Sequence, residues 1–123
     1  MTKSNIKPKA AYTMAYSGAR TAKGGLAIGT SSLATGDITG RIKAVLVGDK
    51  VRYADGSEAV VTSGTGMAAM EEDRPYAIVG SHVSRGDHIV STPAPGAELH
   101  IDEDNRPEGF LLPGYPHNQS LSA

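Results

Sequence analysis

The chain has 123 residues, of which 39% are hydrophobic, and this is enough for one domain with a modest core. Its 12 basic and 13 acidic residues leave a formal net charge of -1, which predicts no attraction to nucleic acid or to an anionic membrane. The absence of cysteine excludes disulfides, thiolate metal sites and a cysteine nucleophile. With 15 glycines, 7 prolines, one phenylalanine and no tryptophan, the composition favours an all-β fold with tight turns and a core of Val, Ile, Leu and Ala.

Three segments follow one another along the chain. Residues 1–13 are polar and basic without an apolar period, which predicts a flexible N-terminal arm. This arm lacks the apolar run of an export signal. Residues 14–93 alternate short β-branched runs with Gly, Asp and Ser clusters, a pattern typical of hairpins. Residues 94–123 form a Pro-rich, acidic C-terminal extension, which is either a flexible tail or a segment laid across the domain or a partner through its stretch GFLLPGY.

One helix candidate interrupts the strand pattern. The stretch GMAAMEEDR, residues 66–74, is rich in good helix formers. Pro75 ends it after about two turns, which is too short for a helix that is stable alone. We expect this segment to connect two strands.

A glycine-punctuated pattern occurs three times within residues 14–93. Each copy reads as a small apolar strand, a glycine, a polar pair, a β-branched residue, a loop, a second glycine and a second strand. The first copy is Gly18, Thr21, Gly24 and Leu26-Ala27-Ile28; the second is Gly48, Val51, Gly56 and Ala59-Val60-Val61, with two residues inserted in its loop; the third is Gly80, Val83, Gly86 and His88-Ile89-Val90.

The two glycines of each copy predict a hairpin, because both ends of a tight connection commonly need positive φ or close backbone approach. Two strands of about four residues cannot bury a face alone, so the copies must pack on one another. The predicted fold is therefore a small conical all-β domain of three hairpins related by a pseudo-threefold axis, with short connectors. An ordinary β-meander is the alternative.

These residues resemble PAAR-repeat proteins, the pointed tips of contractile injection devices such as type VI secretion systems and phage tails. The Gly-Asp opening of that family is present as Gly48-Asp49, whereas the other copies have Gly80-Ser81 and Gly18-Ala19. The stretch TAKGGLAIGTSS is similar to the first family block, and GRIKAVLVGDKV is similar to the block that gave the family its name. The resemblance spans roughly residues 15–93.

The resemblance implies a structural protein, not an enzyme. It implies a tip that caps and sharpens the blunt end of a homotrimeric β-helical spike by adding strands to its open edges, with one copy per trimer. The apolar residues of LAI, AVV and HIV are expected near the base or the axis. The chain would be a monomer on its own, assembled in the cytoplasm and then carried on the injection apparatus or virion tail tip out of the cell, with effector cargo as a further partner.

Many members of that family bind zinc near the apex through histidines and a cysteine in the glycine-bounded loops. The corresponding positions here hold Lys23 and Arg85, and neither residue type is a usual zinc ligand. Because two cationic side chains would converge where the family places a cation, we expect an apex without metal or any other cofactor, held together by packing and turn hydrogen bonds.

Two chemical alternatives use residues of the third copy. His82, Asp87 and His88 have the types of a two-histidine, one-carboxylate metal site, but adjacent residues of a strand point to opposite faces, which separates Asp87 from His88. Ser81, His82 and Asp87 have the types of a hydrolase triad, but Ser81 and His82 are neighbours and no Gly-x-Ser-x-Gly motif is present.

Two further stretches do not match known ion or nucleotide loops. The acidic run HIDEDN, residues 100–105, lacks the central glycine and closing glutamate of an EF-hand, and GDKVRYADG lacks the Gly-Lys-Ser/Thr of a phosphate loop. Beside the structural tip, two hypotheses therefore remain open. One is a small β-barrel module that binds a ligand or a metal in its loops, and the other is a metal-dependent hydrolase built on His82, Asp87 and His88.

Overall fold

The protein is all-β, as the composition predicts. The computed structural model describes residues 9–37, 40–93 and 98–115. These residues contain one 3₁₀ turn, Gly66–Ala68, but no α-helix and no helix that could span a membrane. The strands are β1 (Lys9–Thr13), β2 (Arg20–Thr21), β3 (Leu26–Ala27), β4 (Ala34–Asp37), β5 (Gly40–Lys43), β6 (Lys50–Arg52), β7 (Glu58–Val60), β8 (Met70–Glu71), β9 (Arg74–Pro75), β10 (His82–Val83), β11 (Asp87–Ser91) and β12 (Glu98–Asp102).

Six of these strands form a closed ring of three hairpins. The hairpins are β2–β3, β6–β7 and β10–β11, each antiparallel. The second strand of each hairpin pairs with the first strand of the next one. The pairs that join the hairpins are Ala27 with Val51, Val61 with Val83 and Ile89 with Thr21. Because the third hairpin pairs back to the first, the ring leaves no open edge. This cyclic order confirms the predicted pseudo-threefold fold, whereas a meander would not close on itself.

Three short extended segments, around Ala15, Val45 and Ala77, precede the hairpins and are related by the same threefold rotation. We call them the triangle. The N–H of Ala15 donates to the carbonyl of Ala77 at 3.0 Å, that of Ala77 donates to Val45 at 2.8 Å, and that of Val45 donates to Ala15 at 2.9 Å. Because the third of these bonds leads back to the first residue, the three residues occupy equivalent positions around one axis. The repeating unit therefore begins before the first glycine of each copy, a part that the sequence pattern described only as a small apolar strand.

The second hairpin is longer than the alignment of the three copies predicted. The N–H groups of Gly18 and Gly80 donate to the carbonyls of Ala27 and Ile89, nine residues further on, whereas Gly48 donates to Val61, thirteen residues further on. Val61, and not Val60, is therefore the counterpart of Ala27 and Ile89, and the predicted alignment of this strand was wrong by one residue. The hairpin has two extra residues on each arm. Because strand side chains alternate with a period of two, this lengthening keeps the apolar face inward.

Small and β-branched side chains from equivalent positions fill the ring. Three sets of three are each at most 4% exposed: Ala15, Val45 and Ala77; Thr21, Val51 and Val83; Ala27, Val61 and Ile89. In the segments LAI, AVV and HIV, the inward residues thus lie at the axis. Their outward neighbours lie on the outer wall, where Leu26, Val60 and Val90 are 41%, 40% and 45% exposed.

Three two-stranded arms lead into the triangle, and we call the end that they form the wide end. The arms are β1 with β12, β4 with β5, and β8 with β9, each a sheet separate from the ring. The prediction of a flexible arm is wrong for residues 9–13, because β12 supplies a partner strand for β1. Residues 1–8 lie outside the described part of the chain.

The segment 66–74 is a connector, as predicted, but it is not a helix. After the 3₁₀ turn it forms the β8–β9 hairpin, with Glu72 at φ 59° in the turn. Strand pairing thus overrides the helix propensity of the Met, Ala and Glu residues, which is a weak preference over so short a segment.

The described part of the C-terminal extension, residues 98–115, packs on the domain. Leu111 donates its N–H to the carbonyl of Gly64 at 2.7 Å. Phe110 is 7% exposed and meets the Tyr12 ring edge-on, with ring centroids 5.0 Å apart. Together with Ile101, Phe110 covers Met14 and Ile78 in a second apolar cluster. Residues 98–115 are therefore laid across the domain, which was one of the two interpretations of the extension.

Candidate functional site

The turns of the three hairpins meet at one end of the ring, which we call the apex. The second glycine of each copy has positive φ, 89° at Gly24, 90° at Gly56 and 76° at Gly86, as the hairpin prediction requires. The turns enclose an open depression of about 520 Å³. Its lining includes Lys23 from the first turn, Tyr53 from the second and Arg85 from the third, so the predicted approach of Lys23 and Arg85 is confirmed.

Asp87 links all three turns. Its side chain is buried, and it accepts the N–H of Lys23 at 3.0 Å and the hydroxyl of Tyr53 at 2.6 Å. Burial opposes ionisation of this carboxyl, but hydrogen bonds from Thr21, Tyr53 and backbone N–H groups hold the pKa of Asp87 below its ordinary value. Burial and the bond to Asp87 raise the pKa of the Tyr53 hydroxyl, which therefore remains a donor. The carboxylate acts as a fixed acceptor at the centre of the apex.

The two cations of the apex are used as donors and not as ligands. Lys23 Nζ donates to the carbonyl of Arg85 at 3.0 Å, which ties the first turn to the third. The Arg85 guanidinium lies over the Tyr53 ring, 5.9 Å from its centroid. Neither charged group offers a lone pair, so these residues do not fit zinc. The metal-free apex stays a prediction, and it rests on the chemistry of Lys23 and Arg85.

Acid is expected to loosen the apex through Asp87. Because its folded-state pKa lies below the unfolded value of about 3.9, the carboxylate stabilises the fold fully above that value and stops doing so as the pH falls through the folded-state pKa. Urea denaturation between pH 7 and pH 2.5 should show a fall in the free energy of unfolding that is smaller in Asp87→Asn than in the original protein. Glu72→Gln, at an exposed position, is the control and should keep the original acid dependence. An identical acid dependence in all three proteins would contradict this assignment.

The structure separates the residues that could have formed a metal or hydrolase triad. Asp87 is buried and faces the apex, whereas its neighbour His88 is exposed on the outer wall, which confirms the opposite orientation expected for adjacent strand residues. Ser81 is fully buried, and its hydroxyl accepts the N–H of Ile78 at 2.9 Å. No group of three or more histidine, aspartate or glutamate side chains comes together as a metal site in residues 9–37, 40–93 and 98–115.

Asp49 has a role that the sequence did not reveal. Its carboxylate accepts the N–H of Leu46, two residues before Gly48, at 2.8 Å. In the third copy the Ser81 hydroxyl accepts the equivalent N–H, that of Ile78. The first copy has Ala19 here, and the hydroxyl of Thr92 accepts the equivalent N–H, that of Tyr16, at 3.0 Å. The Gly-Asp opening therefore caps the peptide where the chain leaves the triangle and enters the hairpin.

The described residues define a class of protein: a small all-β ring of three hairpins with pseudo-threefold symmetry, a cross-linked apex and a wide end of three arms. Comparisons of the chain with protein-family models, with curated proteins and with solved structures gave no match.

Proposed function

We propose that the protein is the tip of a homotrimeric β-helical spike in a contractile injection apparatus, as its resemblance to PAAR-repeat proteins implies. The observation that carries this proposal is the three-step cycle of backbone hydrogen bonds among Ala15, Ala77 and Val45. One chain with three equivalent sides can offer a matching surface to each protomer of a trimer, which predicts one copy per trimer.

The wide end is the surface proposed to meet the spike. Leu33 and Met67 lie six residues after the equivalent positions Ala27 and Val61, and they are 43% and 59% exposed. The third equivalent position, Pro95, lies outside the described residues. Each arm is a separate two-stranded sheet within the described residues, and we expect its edges away from the triangle to receive added strands. Apolar side chains beside open edges are the features that a spike end would cover.

The apex would be the leading point of the device. Its three turns are joined by Asp87, Lys23 and Tyr53, and the ring behind it is filled with side chains. Close packing and cross-linked turns resist deformation, which is the property required for piercing a membrane. The proposed tip would be assembled in the cytoplasm and carried out of the cell on the apparatus, with or without effector cargo.

Co-expression with the cognate trimeric spike tests this function. We expect a complex of one tip and three spike chains, measured by native mass spectrometry after size-exclusion chromatography. Recovery of only free monomer at micromolar concentrations would contradict the proposed function.

Matched variants test the docking surface separately. The double change Leu33→Asp and Met67→Asp should abolish co-purification, because it places charge in an apolar contact. Leu26→Asp with Val60→Asp makes an equal change on the outer wall, where the exposures are 41% and 40%, and should leave the complex intact. The reverse result would show that a spike-binding tip docks through its wall and not through the wide end.

The alternative of a β-barrel ligand module receives less support from the packing. The ring interior is occupied by nine side chains that are each at most 4% exposed, which leaves the outer depressions as the places for a ligand.

A further inference from the structure

We propose that His82 and His88 bind one divalent transition-metal ion, Cu²⁺ in preference to Ni²⁺ or Zn²⁺, on the outer wall of the third hairpin. The two residues lie directly opposite each other in β10 and β11. Both are exposed, in contrast to Val83 and Asp87 in the adjacent pair of the same hairpin. Imidazole suits these three metals, and affinity for a nitrogen site is generally highest for Cu²⁺.

The backbone bonds identify His82 and His88 as a non-hydrogen-bonded pair. The carbonyl of His82 accepts the N–H of Thr62 at 2.8 Å, and the carbonyl of His88 accepts the N–H of Ala22 at 2.9 Å. Both histidine carbonyls therefore bond to the neighbouring hairpins and not to each other across the β10–β11 hairpin. In such a non-hydrogen-bonded pair the Cα atoms are about 4.5 Å apart and the side chains are at their closest. Two nitrogen ligands can then reach one ion, with water completing its coordination.

Ser63 orients one of the two ligands. Its fully buried hydroxyl oxygen lies 2.7 Å from His82 Nδ1 and accepts the N–H of His82 at 2.7 Å. When Nδ1–H donates to this oxygen, the tautomer is fixed and the lone pair of Nε2 is left for a metal. A hydrogen bond of this kind at the second ring nitrogen is the usual support of a metal-binding histidine.

The surroundings leave room for an ion and its water ligands. His82 and His88 lie in a depression of about 570 Å³ whose rim includes Gly80, Gly86 and Pro113. A Cβ atom built on Gly80 would meet nothing within 4 Å. Asp87 also lines this depression, but its carboxylate oxygens accept the N–H of Lys23 and the hydroxyl of Tyr53 at the apex, and the Arg85 guanidinium lies over Tyr53, so neither side chain is proposed as a ligand. The proposed ligands are therefore not used in the apex contacts, and the site does not rest on the proposed spike function.

Titration of the full chain with Cu²⁺ tests the site. Isothermal titration calorimetry should give one ion per chain, and ¹H–¹⁵N NMR should show paramagnetic broadening centred on residues 82 and 88. His82→Ala and His88→Ala should each weaken binding by more than about tenfold, and Ser63→Ala should weaken it by about tenfold through lost orientation. His88→Gln gives a second, less disruptive loss of the ligand nitrogen.

The remaining histidines provide the control. His100→Ala and His117→Ala should leave the Cu²⁺ affinity unchanged, and because the His88 side chain is exposed, His88→Gln should keep the original melting temperature without metal. Unchanged affinity in His82→Ala and His88→Gln, or a loss of binding in His100→Ala or His117→Ala, would overturn the proposal.

Discussion

Replacing Asp49 with Ala is expected to lower the free energy of unfolding by about 3 kcal/mol. The Asp49 side chain is 1% exposed, and its carboxylate accepts hydrogen bonds from the N–H of Leu46, from Thr30 and from the Arg74 guanidinium. Alanine would leave a buried N–H and a half-buried guanidinium without their acceptor. Chemical denaturation, with the transition followed by circular dichroism and by tyrosine fluorescence, measures this change.

Asp49→Ser is the matched variant, because serine is the residue at the equivalent position of the third copy. A serine hydroxyl can accept the N–H of Leu46 as Ser81 accepts that of Ile78, but it cannot pair with Arg74. We expect Asp49→Ser to recover about 1 kcal/mol relative to Asp49→Ala. Equal stability of the two variants would show that the capping bond at Leu46 contributes nothing.

Gly64→Ala is expected to destabilise the protein by about 3 kcal/mol or more. A Cβ atom at residue 64 would lie 2.2 Å from the carbonyl oxygen of Tyr76 and 3.2 Å from the Val47 side chain. The Tyr76 carbonyl is backbone and accepts the N–H of Thr65, so it cannot move aside without breaking the connector away from the triangle. The melting temperature and the midpoint of urea unfolding measure the effect.

Gly56→Ala is the control for Gly64→Ala. A Cβ atom there would meet nothing within 4 Å, and the cost is limited to about 1 kcal/mol for a non-glycine residue at φ 90°. If Gly64→Ala proved less destabilising than Gly56→Ala, the close approach of the connector to Tyr76 would be wrong.

The hairpins could be predicted from the sequence because their requirement is local. Gly18, Gly48 and Gly80 have φ of 97°, 97° and 107°, a conformation that glycine adopts without a Cβ clash, and the periodic placement of such residues is visible in one dimension. The triangle could not be predicted in the same way. Ala15, Val45 and Ala77 share only small apolar side chains, and their equivalence rests on bonds between distant parts of the chain.

The apex was predictable in part. The resemblance placed Lys23 and Arg85 together, and strand alternation separated Asp87 from His88. The bond from the Tyr53 hydroxyl to Asp87 joins residues that are 34 positions apart, and no local pattern marks such a pair. The docking of Phe110 was likewise left open, because it depends on the backbone near Gly64 that receives the extension.

The hydrogen bond from Tyr16 to Thr92 affects how the ring can fold. The peptide N–H of Tyr16, near the start of the ring, is capped by a hydroxyl 76 positions later in the chain. The first copy therefore cannot be completed by its own residues, and closure must await the end of the third hairpin. Such reliance on distant pairings favours slow, all-or-none folding. A nascent chain shorter than this length would hold strands without partners, a state in which edge-to-edge association competes with ring closure.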